Sequence, residues 1–347
     1  MIYYTIFFIL VYFFSRATGG IEKINIQRSR ALLIGLCMIL LMGLRDQTVA
    51  GDTITYVYDF LYKPVEWTGV KTFFTENREP LFYFVEYLCQ KLTSSYTIYL
   101  FVTSIMVVIG FCKLLREYSD DMFLSMLLFC GIGSMYFCMA GLRQAIAMGC
   151  TMIAFKYAKE RKLIKFLLWC LLAYGFHNSA IVFVFVYLLV NFKPNWKMWI
   201  AVAVSVFLGY TRNPIVIEMA KYFTSKEYQM DEQGLNYTLF FIQLVFVIFC
   251  FVYKNQALQK EKHEQNETFD SLLMMSFIGL CFQAFTPVKG EFFRVSSYFS
   301  VYLCMAVPKA LNSLDNKDKK IVYLVMVVGL LAYIYIFGNA RSYMTFF

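Results

Sequence analysis

The residues of this chain best suited to chemistry are polar groups set one by one into a very apolar sequence. Arg45 is followed by Asp46 and then by Gly51-Asp52-Thr53 with Tyr56. Glu79-Pro80, Arg143-Gln144, His177-Asn178, and Lys289 with Glu291 and Arg294 come later, and Arg341 and Tyr343 lie near the C-terminus. A guanidinium is a planar cation with several donors and suits phosphate oxygens. An imidazole takes up a proton near neutral pH, as a base acting on a hydroxyl must. Together these types point to anion binding served by one base.

Each position also has a plainer reading. Arg143 opens an apolar run, where its charge would add to the positive end of a helix dipole and trap phosphate; it reads equally as an interfacial anchor or as the partner of a nearby acid. Glu291 and Arg294 are three apart and Tyr298 is seven from Glu291, so a helix would put them on one face, as a site or as an internal ion pair. Asp52 and Tyr56 share a face if 51–60 is helical, and Asp52 as an N-cap needs no function. His177 lies between two apolar runs, whereas His263 falls in a charged loop; a lone histidine at a span end is either a base or an interfacial residue. No His, Asp or Glu group has metal-ligand spacing, and no Walker or dinucleotide glycine pattern occurs, so neither metal nor cofactor is expected.

These residues need elements to position them, and the composition says which. The 347 residues are 60% hydrophobic and 16% charged, far from the balance of a soluble domain. Spanning a bilayer takes roughly 17–25 mostly apolar residues. The runs 2–15, 30–45, 96–112, 122–140, 143–158, 164–176, 178–192, 196–210, 235–253, 271–287, 292–310 and 321–338 predict an all-α bundle of about twelve spans, in one integral membrane domain over 1–347. The runs 164–176 and 178–192 read as two spans or as one broken helix. The first run has no basic leader and no cleavage site, and is read as a retained span.

The net charge of +9 belongs to this topology rather than to a nucleic-acid partner. Alternate connections (16–30, 113–116, 156–165, 193–197, 254–262 and 309–320) hold well over half of the 32 Lys and Arg. The positive-inside rule makes them cytoplasmic, and puts both termini and the polar segments 46–95 and 211–234 outside. The aromatic-rich 46–95 reads as amphipathic helices at the interface, one of them starting at Glu79-Pro80. The ten cysteines fall mostly in apolar runs and read as small buried hydrophobes. Every polar residue named above except the cytoplasmic His263 then sits at the outer face. A charge drawn to the bilayer centre costs at least about 2.5–3.5 kcal/mol, so this grouping indicates a water-accessible hollow open to the outer leaflet.

The ordered set Arg45…Gly51-Asp52-Thr53…Tyr56, Glu79-Pro80, Leu142-Arg143-Gln144 with Ala145 and Ala147, Phe176-His177-Asn178-Ser179-Ala180 and Arg294…Tyr298-Phe299 resembles the EpsG family of Wzy-like bacterial polysaccharide polymerases, over about 1–345. The resemblance implies a GT-C type membrane glycosyltransferase of exopolysaccharide or capsule biosynthesis, in the bacterial plasma membrane with its site facing outside. Its donor would be a glycan on undecaprenyl diphosphate and its acceptor another lipid-linked repeat unit, joined without metal or nucleotide and with inversion. By similarity Arg143 and Arg294 would hold the diphosphate and His177 would orient or deprotonate the acceptor. Asp52 would assist as base or acceptor contact and Arg45 would brace the site. Gln144, Tyr56, Glu79 and Glu291 would complete the substrate-binding set. Membrane lipid, a flippase and a chain-length regulator are the partners implied. A polysaccharide transporter or flippase is the rival from another class, although transporters usually bury ionisable groups near the midplane. A lipid-linked glycan ligase would share the donor chemistry and differ only in acceptor.

Overall fold

The computed structural model describes residues 1–17, 23–223, 237–264 and 268–337, and every regular element within them is helical. Ten helices precede the break at His177: α1 (Ile2–Arg16), α2 (Lys23–Gly43), α3 (Thr53–Tyr62), α4 (Val70–Glu76), α5 (Pro80–Leu92), α6 (Tyr96–Tyr118), α7 (Met122–Gly131), α8 (Ser134–Ala140), α9 (Leu142–Lys159) and α10 (Leu163–Phe176). A 3₁₀ stretch, Asn178–Phe185, leads into α11 (Val186–Leu189), α12 (Lys197–Tyr210), α13 (Pro214–Phe223), α14 (Thr238–Val252), α15 (Lys254–Glu264), α16 (Phe269–Gln283), α17 (Glu291–Ser300), α18 (Leu303–Asn312) and α19 (Asn316–Ile336). Arg341 and Tyr343 lie outside the described residues, as does the later part of 211–234.

Among the described residues, the stretches Ile26–Gly43, Tyr96–Tyr118 and Asn316–Ile336 are long and apolar enough to cross a membrane. The count rises to five if the bent pairs Met122–Gly131 with Ser134–Ala140, and Thr238–Val252 with Lys254–Glu261, each make one span. Other apolar runs form shorter helices, such as the 15 residues of α1 and the 14 of α10. At about 1.5 Å per residue such helices reach some 20 Å of a roughly 30 Å hydrocarbon core. The sequence expectation of about twelve spans therefore leans on these short helices. Within 164–192 the helix breaks at His177, which is extended (φ −157°, ψ 125°) and is followed by 3₁₀ geometry.

The chain divides into two compact units. The first comprises Met1–Tyr118, Gly133–Val184 and Gly329–Phe347. Its core is α9, buried along most of its length and flanked by α6 and α10, with α2 packed on α6. Close approach of α6 and α9 requires glycine on both. A Cβ on Gly110 would lie 2.1 Å from the Gly149 carbonyl oxygen, so the two backbones touch, as small residues permit in membrane helix pairs.

The segment 46–95 is folded onto this unit. Phe60 stacks on the buried Tyr99 of α6 at 4.6 Å. The Gln90 amide accepts from the Val65 N–H at 2.8 Å and donates to the carbonyls of Phe60 (2.9 Å) and Lys63 (3.1 Å), pinning the turn after α3 to α5. Trp67 packs against Phe73, Phe84 and Tyr87. The predicted helix PLFYFVEYLCQKL is α5, with Glu79 at the N-cap and Pro80 in the first turn, where proline's missing N–H costs nothing.

The second unit comprises Ser119–Ile132 and Phe185–Val328. There α16 packs against α12, α14, α17 and α18, and α7 lies on α18. Ser125 of α7 donates to the Cys304 carbonyl at 2.8 Å, and Ser296 of α17 to the Gly279 carbonyl at 2.8 Å.

Candidate active site

The polar residues of the first unit converge on one carboxylate. Glu79 stands at the N-cap of α5, 4% exposed. Its Oε2 receives Arg143 Nη1 at 2.7 Å, and its Oε1 lies 2.5 Å from His177 Nδ1. The Asn178 N–H reaches the same Oε1 at 3.4 Å. Three segments distant in sequence thus meet: the start of α5, the first turn of α9 and the break after α10.

Local sequence explains why they meet. Gly141 separates α8 from α9, and Arg143 falls in the first turn of α9. The α10–α5 packing is set by Gly175, where a Cβ would come within 2.5 Å of Leu81 Cδ1. This contact lies two residues from both Glu79 and His177, so it fixes the spacing between them. Asn178 secures the far side: its amide nitrogen donates to the Arg78 carbonyl at 3.0 Å and its oxygen accepts from Arg78 Nε at 2.7 Å.

Arg143 is held on a second side by aromatic rings. Its Nε donates to the Tyr56 hydroxyl at 3.3 Å, and its guanidinium lies 5.6 Å from the Tyr56 ring centre and 5.9 Å from that of Phe82. Such cation–π contacts stabilise by about 0.5–2 kcal/mol. Two of its five N–H donors are accounted for by Glu79 and Tyr56, and its side chain is 37% exposed.

The electrostatics follow from this arrangement. Burial alone would raise the Glu79 pKa, but the His177 hydrogen bond, the charges of His177 and Arg143 and the Asn178 N–H together hold it below the usual carboxylate range. An ionised Glu79 accepting from Nδ1 leaves Nε2 as the ring nitrogen that can take a proton, the orientation a carboxylate confers on a histidine base. The combination offers a hydrogen-bonding cation beside a proton acceptor, with the carboxylate setting the geometry of both.

The other expected residues take various positions. Arg45 is fully buried, and its guanidinium donates to the Met42 carbonyl and, at 2.9 Å, to that of Met139. Thr53 Oγ1 donates to the same Met139 oxygen at 3.1 Å. The end of α2 and the start of α3 are thereby tied to the residues just before α9. Asp52 is exposed at the N-cap position of α3, makes no side-chain capping bond, and receives the Tyr56 N–H on its carbonyl at 3.3 Å. Gln144 is buried in the first turn of α9. Glu291 and Arg294 belong to the second unit, half-buried and exposed respectively in α17, whereas Tyr298 is buried.

Two nearby groups escaped the sequence reading, Arg78 and Glu86. Glu86 is only 3% exposed, and burial, reinforced by repulsion from Asp59 and partly offset by Arg143, pushes its carboxyl pKa up to about 7. The signal was available: an acid two helical turns after Glu79, inside the otherwise apolar run 81–89. Among the described residues no group of three or more His, Cys, Asp or Glu is placed to hold a metal ion.

Comparison with known proteins agrees with the family resemblance. No curated protein and no solved structure matches the chain. The model of the EpsG family matches residues 30–347. The helices long enough to span a bilayer and this match, over nearly the whole length, make the chain a membrane protein of the EpsG family, a family of Wzy-like polysaccharide polymerases.

Proposed function

We propose that the protein polymerises exopolysaccharide or capsule repeat units at the outer leaflet of the plasma membrane, as a bundle of about twelve spans with a GT-C-like arrangement. The donor is the growing glycan on undecaprenyl diphosphate, and the acceptor is a hydroxyl of a second lipid-linked repeat unit. The observation that carries this reading is the Glu79 carboxylate bridging Arg143 and His177.

Each residue has a share in the displacement. The acceptor oxygen forms a bond to the anomeric carbon while the bond from that carbon to the diphosphate oxygen breaks. The lipid diphosphate leaves with the bonding electrons, and the acceptor proton goes to Nε2 of His177. Arg143 donates to the diphosphate oxygens as negative charge develops there, with the N-terminus of α9 adding its partial positive charge. A single displacement inverts the anomeric configuration. No metal is required, because the leaving group is already activated and the guanidinium supplies the countercharge. Glu79 positions both groups, Tyr56 and Phe82 steady Arg143, and Arg45 braces the turn before α9. Asp52, exposed at the head of α3, contacts the acceptor. Gln144, in the first turn of α9, completes the substrate contacts.

The experiment is complementation of a polymerase-deficient strain with Arg143→Ala and His177→Ala. Both proteins should reach the membrane at normal levels, and long-chain polysaccharide should disappear while single lipid-linked repeats accumulate. Normal chain length in both variants would remove the assignment. Loss of transfer of finished glycan to another lipid, with polymer length unchanged, would point to a ligase.

A further inference from the structure

Glu86 is a buried acid that the mechanism above does not use. It lies on α5 seven residues after Glu79, with Phe82 between them on the same face. Phe82 is itself a wall of the Arg143 pocket, 5.8 Å from the Tyr56 ring and 5.9 Å from the Arg143 guanidinium. The surroundings of Glu86 disfavour charge. Asp59 of α3 repels its ionised form, and Arg143 of α9, already ion-paired with Glu79, is the cation acting on it. Tyr99 of α6, fully buried, acts on it electrostatically, and the Tyr99 hydroxyl has no hydrogen-bond partner among the described residues. Cys89 of α5 is a further titratable neighbour, and Lys63, just after α3, pairs with Asp59 at 2.7 Å. On the remaining helices packed against α5, the charged side chains Lys71 and Glu76 of α4 are exposed, and α10 carries only Lys165, exposed and ten residues from Gly175. A carboxylate taken from water without strong partners is costly, so the group takes up a proton instead.

Resting on the polymerase reading, we propose that Glu86 is a positioning residue that acts through Arg143: protonated, it leaves the guanidinium's charge to the lipid diphosphate, and ionised, it competes for that charge and loosens the diphosphate. The reaction itself is unchanged; one proton from the outer medium sets the grip on the donor. Because the carboxyl titrates near 7, the grip weakens as external pH rises through neutrality. An ionised Glu86 beside the Phe82 wall of this pocket also repels the bound diphosphate, and about 1.4 kcal/mol of such repulsion is a tenfold loss of affinity.

The test uses the full-length protein in lipid nanodiscs, with undecaprenyl diphosphate as probe, from pH 5.5 to 8.5. Wild type should bind about tenfold more weakly at the alkaline end. Glu86→Gln, which keeps the shape and stays neutral, should match wild type at pH 5.5 and lose the Glu86-dependent part of the decline; the lipid's own ionisation is common to both proteins. Asp59→Asn removes the repelling neighbour and should move the wild-type midpoint to lower pH, by the direction of its influence on Glu86. An identical decline in wild type and Glu86→Gln overturns the proposal. So does a Glu86→Gln protein that melts normally yet binds weakly at every pH, since the carboxyl would then be a direct ligand. Polymerisation measured in parallel should follow binding through KM for the lipid-linked donor with kcat little changed. If the Glu86-dependent binding is found but no polymer forms under any condition, the polymerase reading fails while the role of Glu86 stands.

Discussion

Two clusters in this molecule use the same chemistry, a carboxylate gripping cations, and differ in what they leave over. In the second unit Glu261 of α15 is 4% exposed and Lys309 of α18 is 5% exposed. Lys309 Nζ lies 3.1 Å from Asp120 and 3.4 Å from Glu261. Glu261 also accepts the N–H groups of Thr268 and Phe269 and the Thr268 hydroxyl, each at 2.8 Å. Asp120 takes a further bond from Asn312 at 3.3 Å. This knot is closed, tying α15, α16 and α18 to the segment before α7. In the first unit Glu79 is equally occupied, but its two partners are not: Arg143 keeps donors and a partly open side chain, and His177 keeps Nε2. A carboxylate bound to a buried lysine and to backbone N–H groups holds a fold. The same carboxylate between partners with unused capacity prepares them for a third molecule.

The comparison breaks first if Arg143→Ala proves mild. Removing a charged donor aimed at developing negative charge should cost about 10³-fold in polymerisation rate, read as chain length and as turnover in membranes, with little change in thermal stability. Next comes Lys309→Ala, which leaves the buried Glu261 carboxylate, with the exposed Asp120 beside it, without its cation. It should destabilise by about 3–5 kcal/mol, seen as a lower melting temperature in detergent, with turnover per folded molecule unchanged. Were the two effects exchanged, with Lys309 costing activity and Arg143 costing stability, the functional assignments of the two clusters would be reversed.

Glu79→Gln sharpens the contrast because it touches both fold and function. Loss of the carboxylate that orients His177 should lower turnover by about 10²-fold. It also has a pH signature. The Glu79 pKa is depressed below its ordinary 4.5 by the His177 hydrogen bond and the nearby charges, which outweigh burial. Its contribution to stability is therefore complete above pH 4.5 and is lost as pH falls through the depressed value. Wild type should show that acid fall in melting temperature and Glu79→Gln should lack it; equal acid profiles would mean that the bridge is not formed in the folded protein.

Much of this was legible in the amino-acid order, and the reasons differ by element. Glu79-Pro80 announced α5 because an N-terminal proline is a local rule. The break at His177 showed as a polar dipeptide between apolar runs. Arg143 at the head of α9 could be read as a phosphate trap or as half of an ion pair; the structure shows an ion pair with Glu79 and leaves donors over. What no local pattern contains is that positions 79, 143 and 177 meet, since that depends on how α5, α9 and α10 pack. Span counting met a different obstacle. Hydropathy placed the short runs 164–176 and 196–210 close to where α10 and α12 fall, but it does not say whether a 14-residue helix crosses the bilayer. The compact division into two units also escaped, because the chain crosses between them at 118–133, near 184 and again near 328, inside or beside runs that look uniform in composition.

The smallest effect tests how much of the Arg143 pocket is support and how much is contact with substrate. Tyr56→Phe removes only the hydroxyl that accepts Arg143 Nε at 3.3 Å and keeps the ring under the guanidinium and against Phe82. A hydrogen bond at the long end of the range is worth about 0.5–1 kcal/mol net, so turnover should fall about two- to fivefold. Tyr56→Ala also loses the cation–π contact and the packing, and should fall further, by tenfold or more. The order Phe above Ala, with both well above Arg143→Ala, is what a supporting residue gives. If Tyr56→Phe instead matched Arg143→Ala, the hydroxyl would be touching the reacting sugar or the diphosphate, and the open side of the Glu79 cluster would have to be extended along α3 to include it.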